Sequence, residues 1–418
     1  MRRHAHCWSG AAALAAAMIL GAAAGASAAE TAGAPGEWLA QYATARTLGL
    51  GGAYVATATD PLGALWNPAG LTFMDQDELR FENAQLYEQT SLNGVSLAMP
   101  GSRLPSFGVT MVTLRSGGFE RTNEMNDALG TFDVGETAYL LTLARNVSPR
   151  LALGVNLKAV QQNVEESSGA GFGADVGGIA VLAPGLRAGL SLANLGGPSV
   201  SLRNTPENWP LLVRGGLAMA VLGGRGLVAL EADRTGALGV RLHAGAEYWM
   251  FPGVALRGGY DDGRAAGGLT YRVTPQVQLD YAASDQTLGV TQRVGLAWRF
   301  GGFFAASRAE PEAFSPTGEH PVTRIVLNAR TKAEADTWTL ELVNKSDTAV
   351  RRFGGQGKPP SHLEWDGKDE TGLPLPDGTY RYRLVVTDRL GRSVVSPVRA
   401  VEISTGGPEV KVPVVATP

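Results

Sequence analysis

The sequence predicts an all-β protein: an antiparallel transmembrane β-barrel of about 14 strands, preceded by an irregular segment and followed by an Ig-like β-sandwich. Three observations predict it. Apolar residues alternate with polar or small ones again and again between residues 79 and 300, the period of strands with one apolar face. The chain opens with an export signal, and no later stretch reaches the roughly 18 uninterrupted apolar residues of a spanning helix. After Phe300 a Gly- and Pro-containing stretch leads into short strands punctuated by turns.

The export signal comes first. Arg2 and Arg3 precede an apolar run from Gly10 to Ala26, and Ala26-Ser27-Ala28 supplies the small-x-small pattern of a cleavage site. Residues 1–28 are therefore expected to be removed. They take with them Cys7, the single cysteine, so neither a disulfide framework nor a Cys-ligated metal site is expected. The net charge of −3 offers no general basic field, which excludes nucleic acid as a partner. Five scattered histidines do not suggest a metal centre.

Residues 29–78 come next, and within them 41–74 carry no strand pattern. Residues 43–48 suit a short helix. Gly49, Gly51 and Gly52 permit close backbone packing or positive φ. Asp60-Pro61 and Asn67-Pro68 are turn formers. A nucleotide-binding reading of Gly49-x-Gly51 fails, because the third glycine is missing and no strand precedes it.

The barrel occupies residues 79–300. Strands are expected to start near residues 79, 92, 106, 137, 151, 171, 186, 211, 225, 242, 253, 265, 277 and 292. In the run from 151, Leu151, Leu153, Val155, Leu157 and Ala159 fall on one face, opposite Ala152, Gly154, Asn156 and Lys158. Such runs approach the 9–11 residues of a membrane-crossing strand. Tyr139, Tyr248, Trp249, Tyr260, Tyr271, Tyr281 and Trp298 sit near run ends, as an interfacial girdle requires. Closure satisfies every backbone group in hydrocarbon. Gly154, Gly189, Ala218, Gly245, Ala255 and Ala297 leave room on the inner face for a plug, since a 14-strand barrel encloses a lumen. Two readings of Asn67-Pro68 stand side by side: a rigid turn inside that plug, or a structural turn with no part in permeation.

Arg46-Thr-Leu48-Gly49-Leu-Gly51-Gly52-Ala53-Tyr54-Val55-Ala56, then Asp60, then Leu65-Trp66-Asn67-Pro68-Ala69-Gly70-Leu71 resembles the N-terminal motif of FadL-related outer-membrane barrels, most of all the PorV/PorQ branch. The resemblance covers residues 41–300. It implies a 14-stranded barrel with an N-terminal hatch folded into the lumen, and a hatch motif of Gly49, Gly51, Gly52, Asp60, Asn67, Pro68, Ala69 and Gly70. FadL members pass hydrophobic compounds inward; PorV-like members serve protein secretion at the cell surface.

Residues 301–321 read as a linker, 322–404 as the sandwich and 405–418 as a loose tail. The sandwich lacks a Cys pair. Trp365-Asp366-Gly367-Lys-Asp369-Glu-Thr-Gly372, followed by Pro376-Asp377-Gly378-Thr379-Tyr380, resembles the FlgD-type Ig-like domain. Trp365 and Tyr380 are expected in its core. Asp366, Asp369 and Glu370 lack the spacing of an EF-hand loop and read as turn residues. An even strand count puts both barrel ends on the periplasmic side, so this domain is expected there.

Catalytic constellations are missing. There is no Gly-x-Ser-x-Gly elbow, and His243 has no nucleophile nearby in sequence. No enzyme activity, cofactor or metal is expected. The chain is expected in the bacterial outer membrane, in contact with its lipid, as a secretion or assembly component that binds secretion or periplasmic protein partners. The alternative is a transporter of hydrophobic small molecules, favoured by an apolar pocket leading outward from the hatch and opposed by a lumen filled with polar and small residues. A barrel that merely tethers the sandwich is the third reading.

Overall fold

The computed structural model describes residues 35–405, apart from 42–43, 88, 102–103, 203–205, 252, 287–288 and 319–320. The expected signal peptide, and the expected tail beyond residue 405, lie outside the described residues. The chain divides into two units, Met1–Phe300 and Gly301–Pro418.

The first unit is a closed antiparallel barrel of fourteen strands. They begin with β1 (Asp77–Gln85), β2 (Thr90–Met99), β3 (Ser106–Thr122), β4 (Ala128–Ser148), β5 (Leu151–Val164), β6 (Ser167–Ala183) and β7 (Leu186–Leu195). A small hairpin, β8 (Ser199–Ser201) with β9 (Pro206–Asn208), stands outside the ring. The ring resumes with β10 (Leu212–Val221), β11 (Gly226–Thr235), β12 (Val240–Phe251), β13 (Val254–Asp261), β14 (Arg264–Arg272), β15 (Val277–Gln286) and β16 (Gly289–Phe300). Closure is between the first and last strands, in register from Asp77 opposite Phe300 to Gln85 opposite Gln292.

The pleat turns the sequence alternation into two surfaces. Leu153, Leu157, Leu230, Leu256, Val294 and Leu296 are exposed on the outside, and Asn156, Lys158, Arg241, His243, Glu247 and Arg257 are buried inside. So wide an exposed apolar band calls for hydrocarbon around it. Tyr248, Tyr260, Tyr271 and Trp298 are exposed within three residues of their strand ends. Trp249 departs from the girdle expected of it: it is only partly exposed, and its ring lies beneath the Arg272 guanidinium, 4.1 Å away.

Three strands outrun the expected length by the most. β3, β4 and β6 have 17, 21 and 17 residues. Their extra residues, around 115–135 and 163–170, are mostly polar or glycine, with Phe119, Leu129 and Phe132 among them, and continue the ladder beyond the apolar belt. Hydrogen bonding does not stop where the alternation of hydrophobicity stops.

The second unit has two sheets sharing one core. One is β17 (Phe304–Glu310), β19 (Thr323–Arg330) and β22 (His362–Trp365). The other is β18 (Ala313–Phe314), β25 (Arg399–Ile403), β23 (Gly378–Asp388), β20 (Ala335–Val343) and β21 (Ala349–Gln356), with β24 (Ser393–Val395) beside β23. Ala305, Ala309, Ile325 and Leu327 of the first pack with Leu340, Tyr382, Leu384 and Val386 of the second, and Trp365 and Tyr380 are buried among them. The stretch 301–321 is therefore more than a linker. Residues 304–310 alternate exposed and buried, but the buried set is Ala305, Ser307 and Ala309, too small to register as an apolar face in the sequence.

Candidate functional site

The site is the barrel lumen, which residues 37–74 fill. This segment is built from short pieces: helices Glu37–Gln41 and Ala45–Gly49 and 3-10 turns Leu62–Leu65 and Pro68–Phe73. None is long enough to satisfy its own backbone, so the ends need partners. Thr44 caps the second helix by accepting from the Thr47 amide at 3.0 Å. Asn67 caps the last turn by accepting from the Ala69 amide at 3.1 Å, with Pro68 as its first residue, the position where a missing N–H costs nothing.

The sequence-derived motif residues are all here. Asn67, fully buried, also donates through Nδ2 to the carbonyls of Val55 (2.8 Å) and Gly178 (3.1 Å). It thus ties two turns of the segment to the wall strand β6. Asp60 accepts from the Gly63 amide at 2.7 Å and from the Tyr54 hydroxyl. Gly51 (φ +61°) has no room for a side chain: a Cβ would lie 2.4 Å from the Tyr260 amide nitrogen. At Gly70 it would lie 1.7 Å from the Ala58 carbonyl oxygen. Gly49, Gly52 and Ala69 pack in the same run against the wall.

The wall makes room in return. A Cβ on Gly154 would sit 2.5 Å from the Ala69 nitrogen, on Gly177 2.1 Å from Asn67 Oδ1, on Gly189 2.4 Å from the Val55 carbonyl oxygen and on Gly245 2.4 Å from that of Leu50. The glycines form a track along which the segment's backbone lies against the strands.

Charges fix the segment to one side. Glu231 of β11 accepts from the amides of Tyr54 and Val55, both at 2.6 Å, and from Trp66 Nε1 at 2.9 Å. Arg214 covers the other face of Trp66, 4.2 Å from the ring centre. Arg46 grips Glu247 with two bonds of 3.0 and 3.1 Å. Glu247 also receives Arg257 (2.7 Å), Arg257 reaches Asp280 (3.3 Å), and Asp280 meets Arg80 (3.1 Å). Arg80 pairs in turn with Glu78 (2.9 Å) and Glu82 (3.0 Å), and Glu82 accepts the Ala45 amide (3.0 Å). Buried charges of this kind persist only when paired and hydrogen-bonded on every side. His243 Nδ1 donates to the Gly51 carbonyl (3.0 Å) and lies 3.0 Å from Asp261, and its Nε2 lies 3.6 Å from Asp233. These carboxylates give a turn residue, Asp261, and an inner-face residue, Asp233, a shared imidazole and no nucleophile.

The opposite side of the lumen carries an apolar cluster set among buried polar side chains, Ser96, Thr110, Thr142, Asn156 and Lys158. Ala84, Leu92, Val112, Ala138, Leu140 and Val160 on the inner faces of β1–β5 form one buried cluster with Leu62, Leu65 and Trp66 of the segment. The cluster continues to Leu39, Val200 and Trp209 toward the β1–β2 hairpin end. Trp38 meets Trp209 edge to face at 6.3 Å. At the other end, where β1 begins and β16 finishes, a cavity of about 500 Å³ is lined by charged side chains, among them Arg46, Arg187, Arg272 and Arg299.

Sequence reasoning missed this ionic lining. A signal existed in Glu78, Arg80 and Glu82, charges at period two within β1 that pair with one another, but their further partners Asp280 and Arg299 lie 200 and 221 residues away and no local pattern names them.

An apolar outer belt, a closed ring and a plugged lumen together define a plugged membrane-spanning β-barrel. No known family matches the chain's sequence, and no curated protein does. Among solved structures it is similar to a TodX deltaS2S3 mutant monoaromatic hydrocarbon channel (13% identity, TM-score 0.49, covering 62% of this chain and 99% of that one). It is similar also to the CymD monoaromatic hydrocarbon channel (14%, 0.46, 61% and 97%) and to a Pseudomonas aeruginosa FadL homologue (11%, 0.43, 62% and 98%).

Proposed function

We propose that this protein is a bacterial outer-membrane channel for small hydrophobic molecules, with residues 37–74 as its hatch. The observation that carries the reading is the apolar half of the lumen, which runs from Leu62, Leu65 and Trp66 of the hatch to Val200 and Trp209 at the far end. Burying an apolar guest among these side chains costs no polar partner and removes its surface from water. The ionic half holds the hatch in place and leaves the apolar half as the face along which a guest travels.

The secretion and assembly reading has no observation of this kind behind it. The Gly301–Pro418 unit is read as a FlgD-type Ig-like module on the strength of its two sheets and its Phe314-Trp365-Tyr380 stack, with successive ring centres 5.6 Å apart. The long ends of β3, β4 and β6 suit the extracellular side, which supports reading the end of β16, and the module after it, as periplasmic.

The test is saturable binding of a fluorescent apolar probe, 1-N-phenylnaphthylamine, to the full chain in neutral detergent. Leu140→Asp is expected to weaken binding at least tenfold while heat-modifiable gel migration persists. Absence of saturable binding, or binding indifferent to Leu140→Asp and to Val112→Asp, would overturn the reading.

A further inference from the structure

We propose that Asp175 restricts the lumen to uncharged guests, a selectivity that rests on the channel reading above. An amphiphile with a carboxylate head can leave water for an apolar site only where a cation receives it. Lys158 is the cation placed to do so. It stands opposite Leu140 in the ladder between β4 and β5, is buried, and has its ammonium 5.8 Å from the centre of the Trp209 ring. Leu140 and Trp209 both belong to the apolar cluster.

Asp175 of β6 already occupies the place that a guest carboxylate would need. Its Oδ1 accepts from Lys158 Nζ at 2.7 Å and from the Asn194 amide at 2.9 Å, and its Oδ2 accepts from Asn156 Nδ2 at 3.0 Å. Asn194 Oδ1 takes a second ammonium proton at 2.7 Å. An ammonium has three donors, and the remaining side of this one faces the Trp209 ring. The hydroxyls nearby are bonded too: Ser96 Oγ and Thr110 Oγ1 lie 2.6 Å apart, and Thr142 donates to Asn156 Oδ1 at 2.7 Å. Further cations along the cluster have carboxylates of their own. Arg214, over Trp66, lies 3.8 Å from Glu231, Arg241 is held by Asp233 and Glu37, and Arg293, opposite Ala84, is drawn to Glu82. The recess beside Trp209 adds repulsion, because Glu136 and Glu207 line it and its lining includes no cation among the described residues. An uncharged guest needs no counter-charge and meets none of these penalties. Selectivity of this kind comes from rejecting the wrong partner as much as from holding the right one.

The experiment compares two competitors of equal chain length, 1-decanol and decanoate. Each displaces 1-N-phenylnaphthylamine from the full chain in dodecyl maltoside at about pH 8, where decanoate is ionised. Decanoate is expected to need a concentration at least about tenfold higher than decanol in the wild type. Asp175→Asn leaves the Lys158 charge uncompensated and is expected to tighten decanoate at least about tenfold while decanol stays unchanged. Should Asp175→Asn lose its heat-modifiable migration, Asn194→Gly decides. Glycine keeps the positive φ of that position (+64°) and removes one partner of the ammonium, so decanoate is expected to tighten at least about threefold. A wild-type ratio below tenfold, an unchanged ratio in folded Asp175→Asn, or an unchanged ratio in Asn194→Gly after failure of the first variant would overturn the proposal and leave the channel reading standing. Absence of saturable probe binding would overturn the channel reading, and the selectivity with it.

Discussion

Asn67 shows how much one side chain does in the lumen. Its Oδ1 caps a turn, and its Nδ2 joins the Val55 and Gly178 carbonyls. Asn67→Ala leaves buried polar groups without partners, each worth about 1–3 kcal/mol. The temperature at which the folded band disappears in a heat-modifiability gel is therefore expected to drop. Gly177→Ala approaches the same point from the wall, where the new Cβ would lie 2.1 Å from Asn67 Oδ1, and is expected to lower that temperature as well. Both residues could be singled out or overlooked in the sequence for a physical reason. Asn67-Pro68 is local turn chemistry, visible within two residues. Gly177 is one of 55 glycines, and only the hatch lying against it distinguishes it.

Among the elements, the strands were the most legible. Fourteen were expected and fourteen close the ring, because each repeats the same period-2 pattern. What the pattern could not show was the length of β4, whose ladder runs on through residues that no longer alternate, and the strand at Phe304–Glu310, whose buried side chains are alanine and serine. Turns in the second unit carry their own test. The Thr371 hydroxyl, and then the Leu373 and Thr371 amides, donate to the Asp369 carboxylate and hold its pKa below the ordinary carboxylate value. A depressed folded pKa contributes stability above the unfolded value of about 3.9 and loses it as pH falls through the folded one. The difference in denaturation midpoint of the second unit between the wild type and Asp369→Ala is expected to narrow between about pH 5 and about pH 3. A constant difference would mean that the charge on Asp369 does not matter.

At the scale of the molecule, the ring and its plug are separable. Every barrel strand finds its backbone partners in neighbouring strands, so deletion of residues 37–74 is expected to leave a heat-modifiable barrel. Its planar-bilayer conductance should rise well above that of the intact chain, because the plug's place becomes water. A deletion that folds yet conducts no better would show that the wall itself closes the lumen. The opposed apolar and ionic halves of that lumen were the least legible feature of all. The ionic half gathers side chains from Glu78 to Arg299, and only barrel closure sets the two halves across from one another.

The meeting of Asp77 with Phe300 has a kinetic side. The hatch is synthesised before every barrel strand, and the strand that completes its enclosure is the last. Until β16 arrives beside β1, Arg80 and Asp280, 200 residues apart in sequence, have no fixed reason to meet, and entropy opposes so long a loop. The hatch must therefore be enclosed by the ring as it forms, like a ship around which the bottle is blown. The Arg80–Asp280 pair, 3.1 Å apart, is thus a contact that only the closed ring can hold.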